Sequence, residues 1–327
     1  MGVSAPASPS SPSSSPGRRL LGAVGNAVAV AGVVFVVRAL VTRVDALPPL
    51  VVSKALMGAF VGGVLVQLAA VLLATTTWQA LLRGAGVRHP WRDCFRALGG
   101  SAVAKYVPGN VFHLVGRAAM ATREGVPAAA VVGTLALEAA LVLLTAFAVG
   151  WPALLARVDE LRALAPGPGP LLAVGGAAVV ALAALGLAGR RALLRRDART
   201  SARALVVALL GNAVTFVLLG LAMAASLAAV LPAAGPGAEE LDGLALTMSC
   251  VPAFAVAWAL GFVVPGAPGG IGVREAAFVL LLPLHGEVIR AAVVVALVLG
   301  RLQSVVADIV VFAVARALPA PSSSSSS

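Results

Sequence analysis

The 327-residue chain is 60% hydrophobic and only 11% charged, with a mean hydropathy of +1.00, too apolar for a water-soluble fold and in keeping with an integral membrane protein. Its net charge of +11 sits largely on arginines in short loops without interleaved aromatics, which speaks against a nucleic-acid partner. Two cysteines and three scattered histidines make no disulfide framework and no metal-ligand spacing, so no metal or other cofactor is expected.

Residues 1–17 are rich in Ser and Pro and read as a disordered tail. Arg18 and Arg19 then lead into Leu20–Thr42, which lacks a convincing small-residue cleavage site and reads as an uncleaved span, with Arg38 snorkelling at its end. About 20 apolar residues in helix cross the roughly 30 Å hydrocarbon core. Runs of that length follow at Leu56–Leu82, Val126–Leu155, Leu171–Gly189, Leu205–Leu231, Leu244–Val264 and Val288–Ala315. Two shorter apolar pieces, Ala97–Val107 and Ala276–Leu284, each lie beside a Pro-Gly step. The expected fold is an all-α polytopic membrane protein with about 6–8 transmembrane helices and two Pro/Gly-broken segments. It forms one transmembrane domain over residues 18–317, and residues 318–327 form a second tail. Re-entrant segments and plain turns at span ends are the two readings of these short pieces.

Positive residues in short loops are retained on the cytoplasmic side. Arg83, Arg88, Arg92 and Arg96 crowd one loop, and Arg190, Arg191, Arg195, Arg196, Arg199 and Arg203 crowd another; both are expected inside. The acidic loop with Glu239, Glu240 and Asp242, and the loops near Asp45 and Asp159, are expected outside. The amino terminus is then cytoplasmic, in a multi-pass protein of the inner (plasma) membrane.

The interruptions resemble each other. KYVPGNVFHLVGRAA, Lys105–Ala119, lies over FVVPGAPGGIGVREAA, Phe262–Ala277, at a shift of 157 residues, matching Pro108 to Pro265, Gly109 to Gly266 and Arg117 to Arg274. With the orientations above this is the pattern of an inverted repeat, with halves at 47–155 and 204–315; chance matching in an Ala- and Gly-rich chain is the alternative. A break in the backbone ladder inside lipid has to be buried in protein or line a wet cavity. A helix that restarts there aims free N–H groups at the cavity, and Arg117 and Arg274 one or two turns on suit an anion such as phosphate. Glu275 would orient an arginine or bind a cationic group. The competing reading is a plain turn with an interfacial arginine.

Charge also occurs within the spans. Glu138 and Arg301 lie mid-span, where each ionised group costs about 2.5–3.5 kcal/mol on insertion scales. Either they form a buried pair with each other that fixes packing, or they belong to a translocation path. Asp308, seven residues after Arg301 on the same helix face, would share a partner or lie at the interface. Gly58 and Gly62 form a GxxxG best read as ordinary packing, and Trp78, Trp91, Trp151 and Trp258 read as interfacial belt residues.

KYVPGNVFHLVGR, the Glu138 span and PGAPGGIGVREAAFVLLL together resemble the signature of the lysylphosphatidylglycerol synthase transmembrane-region family, a set of polytopic flippase-like domains. The resemblance implies roles for Tyr106, Pro108, Gly109 and Arg117 in the first motif and for Pro265, Gly269, Gly270, Gly272, Arg274 and Glu275 in the second. Bifunctional members join such a region to a soluble domain that loads lysine onto phosphatidylglycerol. Here only RALPAPSSSSSS follows the last span, so a stand-alone membrane domain is implied and no aminoacyl transfer is assigned.

A lipid-binding or translocation path is thus expected along Lys105, Tyr106, Pro108, Gly109, Arg117, Glu138, Pro265, Gly266, Gly269, Gly270, Gly272, Arg274, Glu275 and Arg301. The leading expectation is a translocase for an anionic phospholipid or a polyprenyl-linked lipid. The alternative is a non-catalytic partner of a lipid-modifying enzyme or glycosyltransferase. An enzyme is disfavoured, because no paired carboxylates, activated nucleophile or metal set is present. The orientation predicts that cysteines placed in the Arg190 loop resist an impermeant thiol reagent in intact cells; labelling there would reverse the topology.

Overall fold

The computed structural model describes residues 53–106, 112–159, 198–234, 243–264, 270–282 and 287–319. The described residues form eight α-helices and no strand. They are α1 (Lys54–Gly84), α2 (Trp91–Gly100), α3 (Phe112–Arg123), α4 (Ala128–Ala156), α5 (Ala198–Val230), α6 (Gly243–Val263), α7 (Val273–Leu281) and α8 (Glu287–Ala317), with a 3₁₀ turn at Ala102–Tyr106 after α2. Five helices, α1, α4, α5, α6 and α8, are long and apolar enough to cross a membrane, as their long apolar runs require. Leu20–Thr42 and Leu171–Gly189 lie outside the described residues.

Local chemistry sets the boundaries. Ser53 caps α1, its hydroxyl accepting the Leu56 N–H at 3.1 Å. Pro127 precedes α4, where a missing N–H is harmless. The short piece Ala97–Val107 divides differently from expectation: α2 begins at Trp91 and ends at Gly100. Ser101 then bends the chain, its hydroxyl bonding back to the Ala97 and Leu98 carbonyls. A shift of 157 residues lays α6 over α2 and its 3₁₀ turn, α7 over α3, and α8 over α4, so the order of elements repeats with the motifs.

Burial follows the same order. One cluster joins Trp78 and Leu82 of α1, Cys94 of α2, Ala121 of α3 and Val131 and Leu135 of α4. A larger one joins Leu219 and Leu227 of α5, Phe254 of α6, Phe278 of α7 and Val293 and Leu297 of α8. Leu65, Leu144, Leu210 and Leu302 point outward and are at least half exposed, the arrangement of helices whose outer faces meet lipid.

Small residues let backbones approach, though not where the GxxxG suggested. No described atom of another helix lies within 4 Å of the position a Cβ would take at Gly58 or Gly62, whereas Gly63 faces the Gln303 side chain. Gln303 donates to the Ala59 carbonyl at 3.2 Å and the Ser226 hydroxyl at 3.1 Å, joining α8 to α1 and α5. Arg96 is buried rather than loop-exposed; it pairs with Glu124 and donates to the Pro319 carbonyl. His89 meets the other Glu124 oxygen at 3.1 Å.

Gly270 has φ +71, and a Cβ there would come within 2.9 Å of the Gly261 backbone on α6. Gly270→Ala is therefore expected to destabilise the protein by about 1–3 kcal/mol, through both the positive φ and the clash. Thermal unfolding in detergent tests this, with Gly58→Ala expected to stay near the parent.

Candidate functional site

The long helices surround a cavity of about 310 Å³. Gln67 of α1, Glu138 of α4, Asn212 of α5 and Arg301 of α8 line it, and each lies within about one turn of its helix midpoint. Lys105 and Tyr106 enter from the 3₁₀ turn, His113 and Arg117 from α3, Trp258 from α6, and Arg274 from α7. Leu135, Val142, Phe216, Leu219 and Phe254 supply an apolar wall.

Three ion pairs organise the polar side. Arg117 is buried, meets Glu138 at 2.9 Å, and stacks with its guanidinium carbon 3.8 Å from the Trp78 ring centre. Trp78 is itself fully buried and its indole N–H donates to Thr134 at 3.3 Å. Arg301 donates through Nε to Glu275 Oε1 at 2.5 Å. Glu275 Oε2 accepts the Gly272 N–H at 2.6 Å, so this carboxylate caps α7 while it compensates α8. Asp308 Oδ2 accepts both the Lys105 ammonium and the Tyr106 hydroxyl, each at 2.6 Å.

Of the two readings of Glu138 and Arg301, the one that paired them with each other is not what the structure has. Each mid-span charge instead meets a residue of a short helix, because α3 and α7 bring their charged groups to the middle of the bundle. Asp308 holds the turn before the first Pro-Gly step, through Lys105 and Tyr106. Trp78 and Trp258 are not belt residues, since one lies under Arg117 and the other lines the cavity.

Arg274 is different. Among the described residues no carboxylate reaches it within ion-pair distance, and its Nε is buried without a hydrogen-bond acceptor. Its guanidinium carbon lies 5.7 Å from the Trp258 ring centre. Trp258 in turn stacks on Phe262 at 5.3 Å and meets Phe216 edge-on at 5.4 Å. Asn212 also presents a buried amide nitrogen without an acceptor. His113 Nδ1 is likewise buried without a hydrogen-bond partner.

Of the expected site residues, the structure brings Lys105, Tyr106, Arg117, Glu138, Arg274 and Arg301 to one cavity, with Glu275 directly behind Arg301. Gly270 and Gly272 serve as backbone, with φ of +71 and +84 on entry to α7. Pro108, Gly109, Pro265, Gly266 and Gly269 lie outside the described residues. The expected path omitted Asn212, Trp258, Ser304 and Asp308, which also line the cavity; a polar Asn within an apolar run was the available signal for the first. Among the described residues no group of His, Cys, Asp and Glu side chains could hold a metal.

The chain belongs to the lysylphosphatidylglycerol synthase TM region family, which it matches over residues 22–311. It is accordingly a multi-pass membrane protein related to lipid modification or translocation. No curated protein and no solved structure matches the chain.

Removing one partner of the Arg117–Glu138 pair leaves the other charge buried and uncompensated. Glu138→Ala is expected to cost about 3–5 kcal/mol of stability, whereas Arg117→Met with Glu138→Leu recovers most of it. Thermal melting of the single and double variants in detergent is the measurement, and equal loss in both would refute a compensating pair.

Proposed function

We propose that this protein moves a lipid with an anionic headgroup between the two leaflets of its membrane. The observation that carries the reading is the fourth cation. Lys105, Arg117 and Arg301 each have a carboxylate, but Arg274 has none among the described residues, and it faces a cavity at mid-bundle. A charge kept in such a place is costly unless something arrives to meet it.

The chemistry of the wall fits a lipid. Its polar side offers guanidinium and amide donors to phosphate oxygens, while Leu135, Val142, Phe216, Leu219 and Phe254 offer an apolar surface to the start of a chain. The Trp258 ring lies 5.7 Å from the Arg274 guanidinium carbon, and Glu275 stays committed to Arg301 and to the Gly272 N–H. Neither competes with an incoming anion. No group in the cavity needs to make or break a covalent bond for this task, in keeping with a carrier.

Leaflet exchange of labelled anionic and polyprenyl-linked lipids in liposomes tests the proposal. Arg274→Ala is expected to slow exchange at least about tenfold, the lower end of what a hydrogen bond to a charged group contributes, with its melting temperature close to the parent. Absence of exchange by folded parent protein would defeat the translocase reading and favour the partner of a lipid-modifying enzyme or glycosyltransferase.

A further inference from the structure

On the translocase reading, we propose that the cavity is matched to a headgroup bearing one net negative charge, a phosphodiester monoanion, over a diphosphate, a zwitterion or a net cation. The inference rests on the charge count around the cavity and on how fully each carboxylate is used.

Four described cations face the cavity: Lys105, Arg117, Arg274 and Arg301. Three carboxylates answer them, Asp308 for Lys105, Glu138 for Arg117 and Glu275 for Arg301. Two of the three are committed twice over. Asp308 Oδ2 also accepts the Tyr106 hydroxyl, and the second oxygen of Glu275 accepts the Gly272 N–H. His113 lines the same cavity as these cations with its Nδ1 buried and without a partner, so it is counted as neutral. The described surroundings therefore carry a single uncompensated positive charge, on Arg274.

In a poorly solvated site the favoured ligand is the one that brings the sum to zero. A monoanion does so. A diphosphate leaves an excess negative charge, a zwitterion leaves Arg274 uncancelled, and a cationic headgroup adds to the excess. The free donors point the same way: Arg274 Nε and Asn212 Nδ2 are buried without acceptors, as acceptor oxygens of a phosphate would require.

Binding separates this proposal from transport. Purified protein in detergent is titrated with dihexanoyl phosphatidylglycerol, dihexanoyl phosphatidylcholine, geranyl diphosphate and a cationic dihexanoyl ethylphosphocholine, and the rise in melting temperature gives each affinity. The monoanion is expected to bind at least about tenfold more tightly than the other three. Arg274→Gln is expected to lose that preference and Arg274→Lys to keep it, which separates lost charge from a damaged fold. Glu138→Gln, which adds one positive charge, is expected to move the preference toward the diphosphate.

Water-soluble glycerophosphoglycerol distinguishes the source of the phosphodiester. Weaker binding than the dihexanoyl form supports a membrane-borne headgroup, whereas equal binding overturns the lipid assignment. Equal binding of all four lipids, tighter binding of the diphosphate, or binding of none overturns the charge match. Failure of leaflet exchange alongside selective monoanion binding would defeat translocation and leave the match standing.

Discussion

Charge inside an apolar bundle has to be answered by opposite charge, and α8 shows how this chain meets the requirement. Arg301 at its midpoint and Asp308 two turns later would each be costly in lipid. Both are met by residues that flank the interruptions: Glu275 at the start of α7, and Lys105 and Tyr106 on the turn before α3. These contacts tie α7 and the turn before α3 to α8. The Glu275 carboxylate has a second task, since it also caps the N-terminus of α7 through Gly272. Packing and polar satisfaction are thus settled by the same few atoms.

The long helices were legible from the sequence because each is a sustained apolar run, and in lipid a backbone must satisfy itself. The described spans fall within a few residues of their expected limits, apart from the longer start of α5. The Pro-Gly steps and the two arginines pointed to the cavity for a related reason: breaks and charges are expensive there. Pairing was less legible. Glu138 and Arg301 were the two obvious mid-span charges, yet each prefers a residue delivered by a short helix, and linear position does not reveal which residues a broken segment carries inward.

The tryptophans show the same limit. Trp78 and Trp258 lie near the ends of apolar runs, where an interfacial role is the ordinary expectation, but each supports an arginine. The glycines mislead in another way. Gly58 and Gly62 have the spacing of a close helix contact and meet no atom of another described helix within 4 Å of a Cβ position, while Gly63 receives Gln303. Such contacts depend on which side of a helix a neighbour occupies, and a helix apolar all round gives no sign of it.

Because α8 is one unbroken helix, Arg301 and Asp308 stand about 10.5 Å apart along its axis, seven residues at 1.5 Å each. A slide or turn of α8 as a rigid rod carries both anchors together, pulling on Glu275 on one side and on Lys105 and Tyr106 on the other. While these contacts hold, α8 mechanically links the turn before the first break to the helix after the second, so that they move in step.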